Sequence, residues 1–164
     1  MMLNAEQIIE KDLLKLDNSK GKAAQIGYDL SVKEIKSLHG YGRILLNRTI
    51  LPGYESIKTT TLDTEGWELD PGYYEVTFWE GCKIPNNYVG LIRQRSSMLR
   101  SGALLHSSVF DPGFETEEMG SFIAVFHPIF IEKDARIAQI YFHECEPVVS
   151  AYNGQFQNDK QRKI

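Results

Sequence analysis

Arg95-Ser96-Ser97 and, fourteen residues after Ser97, Asp111-Pro112-Gly113-Phe114 are the stretches of this chain whose side chains can do chemistry. An arginine beside two hydroxyls suits phosphate oxygens, because a guanidinium grips them in a bidentate fork and the serines add donors. An aspartate just before a Pro-Gly turn sits where a carboxylate can take a proton from a bound water. The aromatic three residues later can cover a flat ring or a sugar. Together the two stretches describe a site for a nucleotide with a charged tail.

Each residue also has a plainer reading. Asp-Pro-Gly is a turn sequence in its own right, and the chain uses it again at Asp70-Pro71-Gly72. The two readings are compatible, since a turn can hold a carboxylate at the floor of a site. Arg93 and Arg95 are two apart, so in a strand they share a face. They are either solvated surface arginines or anion ligands, and the nearby Ser96, Ser97 and Arg100 favour the second. Asp29, in Ile26-Gly27-Tyr28-Asp29-Leu30, is either an edge or capping aspartate or an acid facing a metal-bound triphosphate. Gln139 interrupts the apolar run 136–142 and must find a hydrogen-bond partner, either a backbone group or a phosphate oxygen.

Other chemistries find little support. His106, His127, His143, Cys82 and Cys145 show no zinc-ligand spacing, and there is no Walker loop or dinucleotide glycine pattern. Glu115, Glu117 and Glu118 read as a solvated loop. The net charge of −4 argues against a general binder of polymeric nucleic acid. A small anion needs only local positive charge, which Arg93, Arg95 and Arg100 supply, as do Lys160, Arg162 and Lys163. No run approaches the roughly 20 apolar residues of a membrane span. Charged residues among the first twelve argue against a signal peptide. Two distant cysteines read as reduced thiols, and a cytoplasmic setting is expected.

The elements that must position these residues are mostly strands. The opening reads as a helix within 1–20: Asn4 is an N-cap, Gln7 falls at the capping-box position, and Ile9, Leu13 and Leu16 recur at helical spacing. From there short apolar runs alternate with Pro and Gly turns, at 45–51, 67–69, 73–79, 88–95, 121–127 and 136–143. That rhythm predicts an all-β sandwich or barrel, with a jelly roll as one way to bury its edges. The 164 residues are expected to form one domain. The polar tail, 152–164, is expected to be mobile unless a ligand orders it.

Taken in order, the segments around Asp29, Arg95-Ser96-Ser97-Met98-Leu99, Val109-Phe110-Asp111-Pro112-Gly113-Phe114 and Arg136-Ile137-Ala138-Gln139 resemble the four ordered motifs of the dUTPase and dCTP deaminase superfamily. The match runs from about Ile26 to Gln157. The resemblance implies an all-β distorted jelly roll, of the dUTPase-like β-clip type with a short N-terminal helix, and a homotrimer with sites between subunits. It implies a deoxynucleoside triphosphate as substrate, and Mg²⁺ held mainly through that triphosphate, with Asp29 reaching the metal through water. Arg95, Ser96, Ser97, Arg100 and Gln139 would hold phosphates, Val109 and Phe110 would read the base, and Phe114 would pack beneath deoxyribose. Asp111 would activate the water, and Tyr152 and Phe156 would join from the tail.

The tail Tyr152-Asn153-Gly154-Gln155-Phe156-Gln157 and Arg100 are closer to the deaminase branch. That branch places a glutamate five residues after a glycine on the strand following the third motif. Aligning on Gly120 puts Val125 there, and valine cannot shuttle a proton. The expectation is therefore hydrolysis of dUTP to dUMP and pyrophosphate. Deamination of dCTP, action on another dNTP, and a non-catalytic nucleotide- or partner-binding role are the alternatives.

Overall fold

The computed structural model describes residues 1–157. It starts at helix α1 (Ala5–Glu10), whose capping box is formed as expected. Asn4 Oδ1 accepts from Gln7 N–H at 2.9 Å, and Gln7 Oε1 accepts from Asn4 N–H at 3.0 Å. The helix is much shorter than the 1–20 segment expected to hold it. Asp12 adopts φ 54°, the left-handed conformation that ends helices, and turns the chain back. Leu13 then drops into the core, while Ile9, expected on the same helical face, is exposed. The next residues form β1 (Leu14–Lys15), which pairs with Gly81 and Cys82.

The remaining strands are β2 (Lys22–Ala23), β3 (Tyr28–His39), β4 (Arg43–Ile44), β5 (Thr49–Ile50), β6 (Gly53–Ser56), β7 (Thr60–Thr61), β8 (Glu65–Leu69), β9 (Gly72–Phe78), β10 (Gly81–Lys83) and β11 (Tyr88–Gln94). After helix α2 (Ser96–Arg100) come β12 (Ala103–His106), β13 (Glu115–Thr116), β14 (Gly120–Val125), β15 (Ile129–Glu132) and β16 (Arg136–Glu144). The main sheet runs β11-β16-β3-β9-β14-β12, and every pairing in it is antiparallel. The long β3 joins its two halves. Tyr28, Asp29 and Leu30 pair with β16, and the residues from Val32 to Ser37 pair with β9. Register shifts on both sides of this handover let one strand serve two differently oriented groups of neighbours. The chain is a nearly all-β, distorted jelly roll with two short helices. No helix among the described residues is long and apolar enough to cross a membrane.

One run departs from expectation. Residues 45–51 form no single strand. They belong to the small hairpin of β4 and β5, and Leu46 projects fully into solvent. Its apolar residues lie at a surface, so their composition misreports burial.

The core is one cluster built from the inward positions of β3, β9, β14 and β16, among them Leu30, Val32, Ile35, Val76, Phe78, Ile123, Ile140 and Phe142. Leu3, Ile8 and Leu13 close it from the N-terminal side. A fully buried carboxylate also lies in this interior. Glu80 accepts hydrogen bonds from Ser31 N–H at 2.9 Å, Ser31 Oγ at 2.7 Å, Gly21 N–H at 3.0 Å and Ser19 Oγ at 2.5 Å. These four donors satisfy a polar group that would otherwise be costly to bury. They also clamp the 19–21 loop onto β3. At Gly21 a Cβ would stand 2.1 Å from the Asp29 carbonyl oxygen, so only glycine fits there. Replacing Glu80 with alanine takes the acceptor from the buried Ser31 N–H and from the Ser31 hydroxyl, at about 1–3 kcal/mol each. Glu80→Ala should therefore lower unfolding stability by roughly 3 kcal/mol or more, measurable as a reduced denaturant midpoint. A variant within about 0.5 kcal/mol of the parent would contradict this account.

Candidate functional site

The phosphate-type residues converge on one face of β3 and β16. Asp29 and Gln139 each lie between two buried neighbours and stand directly opposite each other on the outward side. Next to them β11 ends, and Arg95 becomes the residue that starts α2. Its main chain is pinned by a 2.8 Å hydrogen bond from its N–H to the Ile137 carbonyl. Its guanidinium donates to the Arg136 carbonyl at 3.2 Å and lies 3.6 Å from Asp29 Oδ2. The Arg136 guanidinium lies 3.9 Å from the same oxygen. One carboxylate thus holds two cations side by side. Ser96, Ser97 and Arg100 stand exposed on α2, anchored by buried Met98. Gln139 Nε2 donates to the Ile26 carbonyl at 2.5 Å, a backbone partner, the first of the two that its place in an apolar strand allowed.

The Asp111 segment forms a second cluster. Phe110 exchanges two backbone hydrogen bonds with Gly90, 3.0 and 2.9 Å long. Asp111 to Phe114 make a turn closed by Phe114 N–H to Asp111 O at 3.0 Å. Pro112 sits at its second position and Gly113, with φ 87°, at its third, the pattern of a type II turn. Asp111 is exposed at its start, and Val109 is half-exposed just before it. The rings of Phe110 and Phe114 meet edge to face with centroids 5.5 Å apart, and Tyr152 meets Phe114 in the same way at 5.5 Å. Phe156 is exposed beyond them. Residues 152–157 of the tail thus lie against the turn, with Tyr152 N–H bonded to the Pro112 carbonyl at 2.9 Å. Lys160, Arg162 and Lys163 lie outside the described residues.

Within one chain the two clusters are apart. Gly90, beside Phe110, and Arg95 are five residues apart along extended chain, a span of roughly 16 Å. The two neighbouring sequence motifs therefore do not meet in one pocket within a single chain.

A match to the dCTP deaminase-like family model covers residues 5–145. The chain belongs to the dCTP deaminase-like family. A relative from Methanocaldococcus jannaschii named deoxyuridine 5'-triphosphate nucleotidohydrolase is 43% identical over 132 residues, 79% of this chain and 83% of that one. One from Aeropyrum pernix, named as a probable enzyme of that kind, is 33% identical over 161 residues, 97% of this chain and 99% of that one. Two solved structures share the fold. A 2'-deoxycytidine 5'-triphosphate deaminase from Agrobacterium tumefaciens has a TM-score of 0.62 at 16% identity over 87% of this chain, which spans 48% of that protein. The native dUTPase of EIAV has a TM-score of 0.53 at 13% identity, covering 88% of this chain and 99% of that one.

In this member of the dCTP deaminase-like family, β14, the second strand after the Asp111 turn, carries no acid. Val125 is buried, in register with Gly72 on one side and Ala103 on the other. Ser121 and Ile123 point to the same buried side, and Phe122 and Ala124 to the opposite one. A shift of the alignment by one residue therefore brings no carboxylate into play.

The acidic loop is not the free, solvated segment that its composition predicts. Lys15 pairs with Glu115 at 2.7 Å and with Glu117 at 2.5 Å, and Lys33 pairs with Glu118. Arg136 as a partner of Asp29 and Gln157 as a partner of the Asp111 turn were not singled out from the sequence. An arginine that opens a strand, or a glutamine in a polar tail, gives no periodic signal.

Among the described residues no three His, Cys, Asp or Glu side chains gather into a set able to hold a metal alone. Asp29 is a single carboxylate beside two phosphate-type arginines. That arrangement suits Mg²⁺, which commonly takes one or two carboxylates and completes its shell with water and substrate phosphates.

The hydrogen bond from Lys15 holds the Glu115 carboxyl below the usual carboxylate range, against a smaller opposing effect of burial. A depressed acid adds stability above its unfolded pKa and loses it as pH falls through the folded value. Lys15→Met should therefore lower Tm near pH 7, and its deficit should shrink below about pH 4.3. A deficit that stays constant down to about pH 2.5 would show that this ion pair is not its source.

Proposed function

We propose that the protein is a dUTP diphosphatase that hydrolyses dUTP to dUMP and pyrophosphate with Mg²⁺. The observation that carries this reading is β14. It has no carboxylate on either face to move the proton that cytosine deamination requires, whereas Asp111 is held at solvent on a stiff turn. The names of the archaeal relatives point the same way.

In this mechanism Arg95, Ser96, Ser97 and Arg100 grip the triphosphate. Gln139 assists with the amide hydrogen that Ile26 does not use. Asp29 keeps the Arg95 and Arg136 guanidiniums aimed at one place. Mg²⁺ bound with the triphosphate would supply charge neutralisation, and Asp29 is the carboxylate that would reach it through water. Val109 and Phe110 read uracil through their main chain. Phe114 packs beneath deoxyribose where a ribose 2′-hydroxyl would stand, and Tyr152 and Phe156 close from the tail. Asp111 accepts a proton from water, whose oxygen bonds to the α-phosphorus as the bond to the bridging oxygen breaks and pyrophosphate departs. The protein's contribution is positioning and electrostatic stabilisation.

A complete site takes Asp111 from one copy and Arg95 from another, because β11 separates them within each chain. The assembly that fits is a homotrimer with sites between subunits. The free thiols of Cys82 and Cys145 accord with a reducing cytoplasm.

Given Mg²⁺ and each dNTP in turn, the purified protein should form dUMP and pyrophosphate from dUTP. Formation of dUTP from dCTP would establish the deaminase reading instead, and bound nucleotide without turnover a non-catalytic one. Asp111→Asn should lower kcat at least about a hundredfold; full activity would remove Asp111 as the base. Co-expressed Asp111→Asn and Arg95→Ala chains, each inactive alone, should regain about a quarter of the parental activity through mixed assemblies. No recovery in verified mixed oligomers would mean that each chain holds its own site.

A further inference from the structure

Gln157 and the turn that carries Asp111 form a structural unit that neither sequence motif contains. Ile84 holds this turn from one side. It accepts from Gly113 N–H at 2.8 Å, and its own N–H donates to the Phe114 carbonyl at 2.9 Å. Two polar main-chain groups next to these, the Gly113 carbonyl and the Glu115 N–H, remain on the other side. Gln157 takes both. Its Nε2 donates to the Gly113 carbonyl at 2.9 Å, and its Oε1 accepts from Glu115 N–H at 3.1 Å. A side-chain amide carries one donor and one acceptor in a plane, as a peptide group does. Gln157 therefore acts as a detached peptide of a missing neighbouring strand, and it brackets Phe114 from both sides.

Two further contacts press the tail onto the same place. Tyr152 N–H bonds to the Pro112 carbonyl. Gly113 has no room for a side chain, because a Cβ would lie 2.6 Å from Ala151 Cβ and 2.9 Å from Tyr152 N. Lys15 steadies the same edge through Glu115.

We propose that Gln157 is a positioning residue for Asp111 and Phe114: its amide docks the tail onto their turn from the same chain and fixes the turn's main chain. This inference rests on the dUTP diphosphatase reading for its kinetic consequences and on the contacts alone for its structural one. A residue that sets the turn acts on the reacting geometry, so its loss appears in kcat. A residue that contacts only substrate appears in KM.

The test uses the full chain with Gln157→Ala and Gln157→Glu, assayed with dUTP and Mg²⁺, alongside amide hydrogen exchange without nucleotide. Gln157→Ala should lower kcat about tenfold to a hundredfold with KM little changed. It should also speed exchange in the peptide containing Glu115. Gln157→Glu keeps the acceptor and loses the donor while ionised, and protonation returns the donor. Its kcat relative to the parent should therefore rise as pH falls towards about 4.5, a dependence that mere loss of folding would not produce. Unchanged kcat, a rise in KM alone, or unchanged exchange at Glu115 would each overturn the proposal. If the parent does not turn over dUTP, the functional reading fails and hydrogen exchange alone decides the role of Gln157.

Discussion

The buried carboxylate of Glu80 is the constraint that links the two halves of the candidate site. Through its side chain it grips Ser31, two residues from Asp29, and draws the 19–21 loop over β3. Through its main-chain carbonyl it accepts from Met119 N–H at 2.8 Å, on the segment that runs from the Asp111 turn into β14. One residue therefore sets the depth of the strand bearing Asp29 and the exit of the loop bearing Asp111. A buried carboxyl group in an apolar interior is tolerated only because four donors converge on it. That convergence requires the loop, β3 and the β9–β10 connection to be in place together.

Much of this was legible in the sequence. The strands at 67–69, 73–79, 88–95, 121–127 and 136–143 follow from β-branched and aromatic runs stopped by Pro or Gly, and these runs pack against one another in the core. The capping box of Asn4 and Gln7 was readable because it is local. What was not readable depends on long-range partners. The helix ends at Glu10 because Leu13 is pulled into the core, although its sequence continues the helical spacing. The 45–51 run resembles a buried strand by composition, yet its strands find only each other. The twelve-residue β3 was seen only at its start, since Lys33, Glu34 and Lys36 hide the alternation beyond it. The acidic loop looked solvated because its lysine partners lie 85 to 102 residues away in the chain, a separation that no local pattern encodes.

The candidate site was likewise legible in kind and not in arrangement. Asp29, Arg95 and Gln139 meet because alternation in β3 and β16 puts them on one face, which their positions in the strands imply. Their distance from Asp111 is a property of β11, whose two ends they and the turn occupy. Sequence order brings these motifs close together. An extended strand, about 3.3 Å long per residue, keeps them apart.

The handover of β3 from β16 to β9 has a consequence for the history of the fold. Between Asp29 and Ile35 the strand is read by partners on two sides. Deleting a single residue there would turn every side chain beyond the cut to the opposite face. Asp29 would face the interior or Ile35 would face water. Descendants of this chain can substitute along that stretch but cannot change its length. The β4–β5 hairpin just downstream, with Leu46 wholly in solvent, can lengthen or shorten at little cost. Variation in chain length should thus collect in the β4–β5 hairpin and be absent between Asp29 and Ile35.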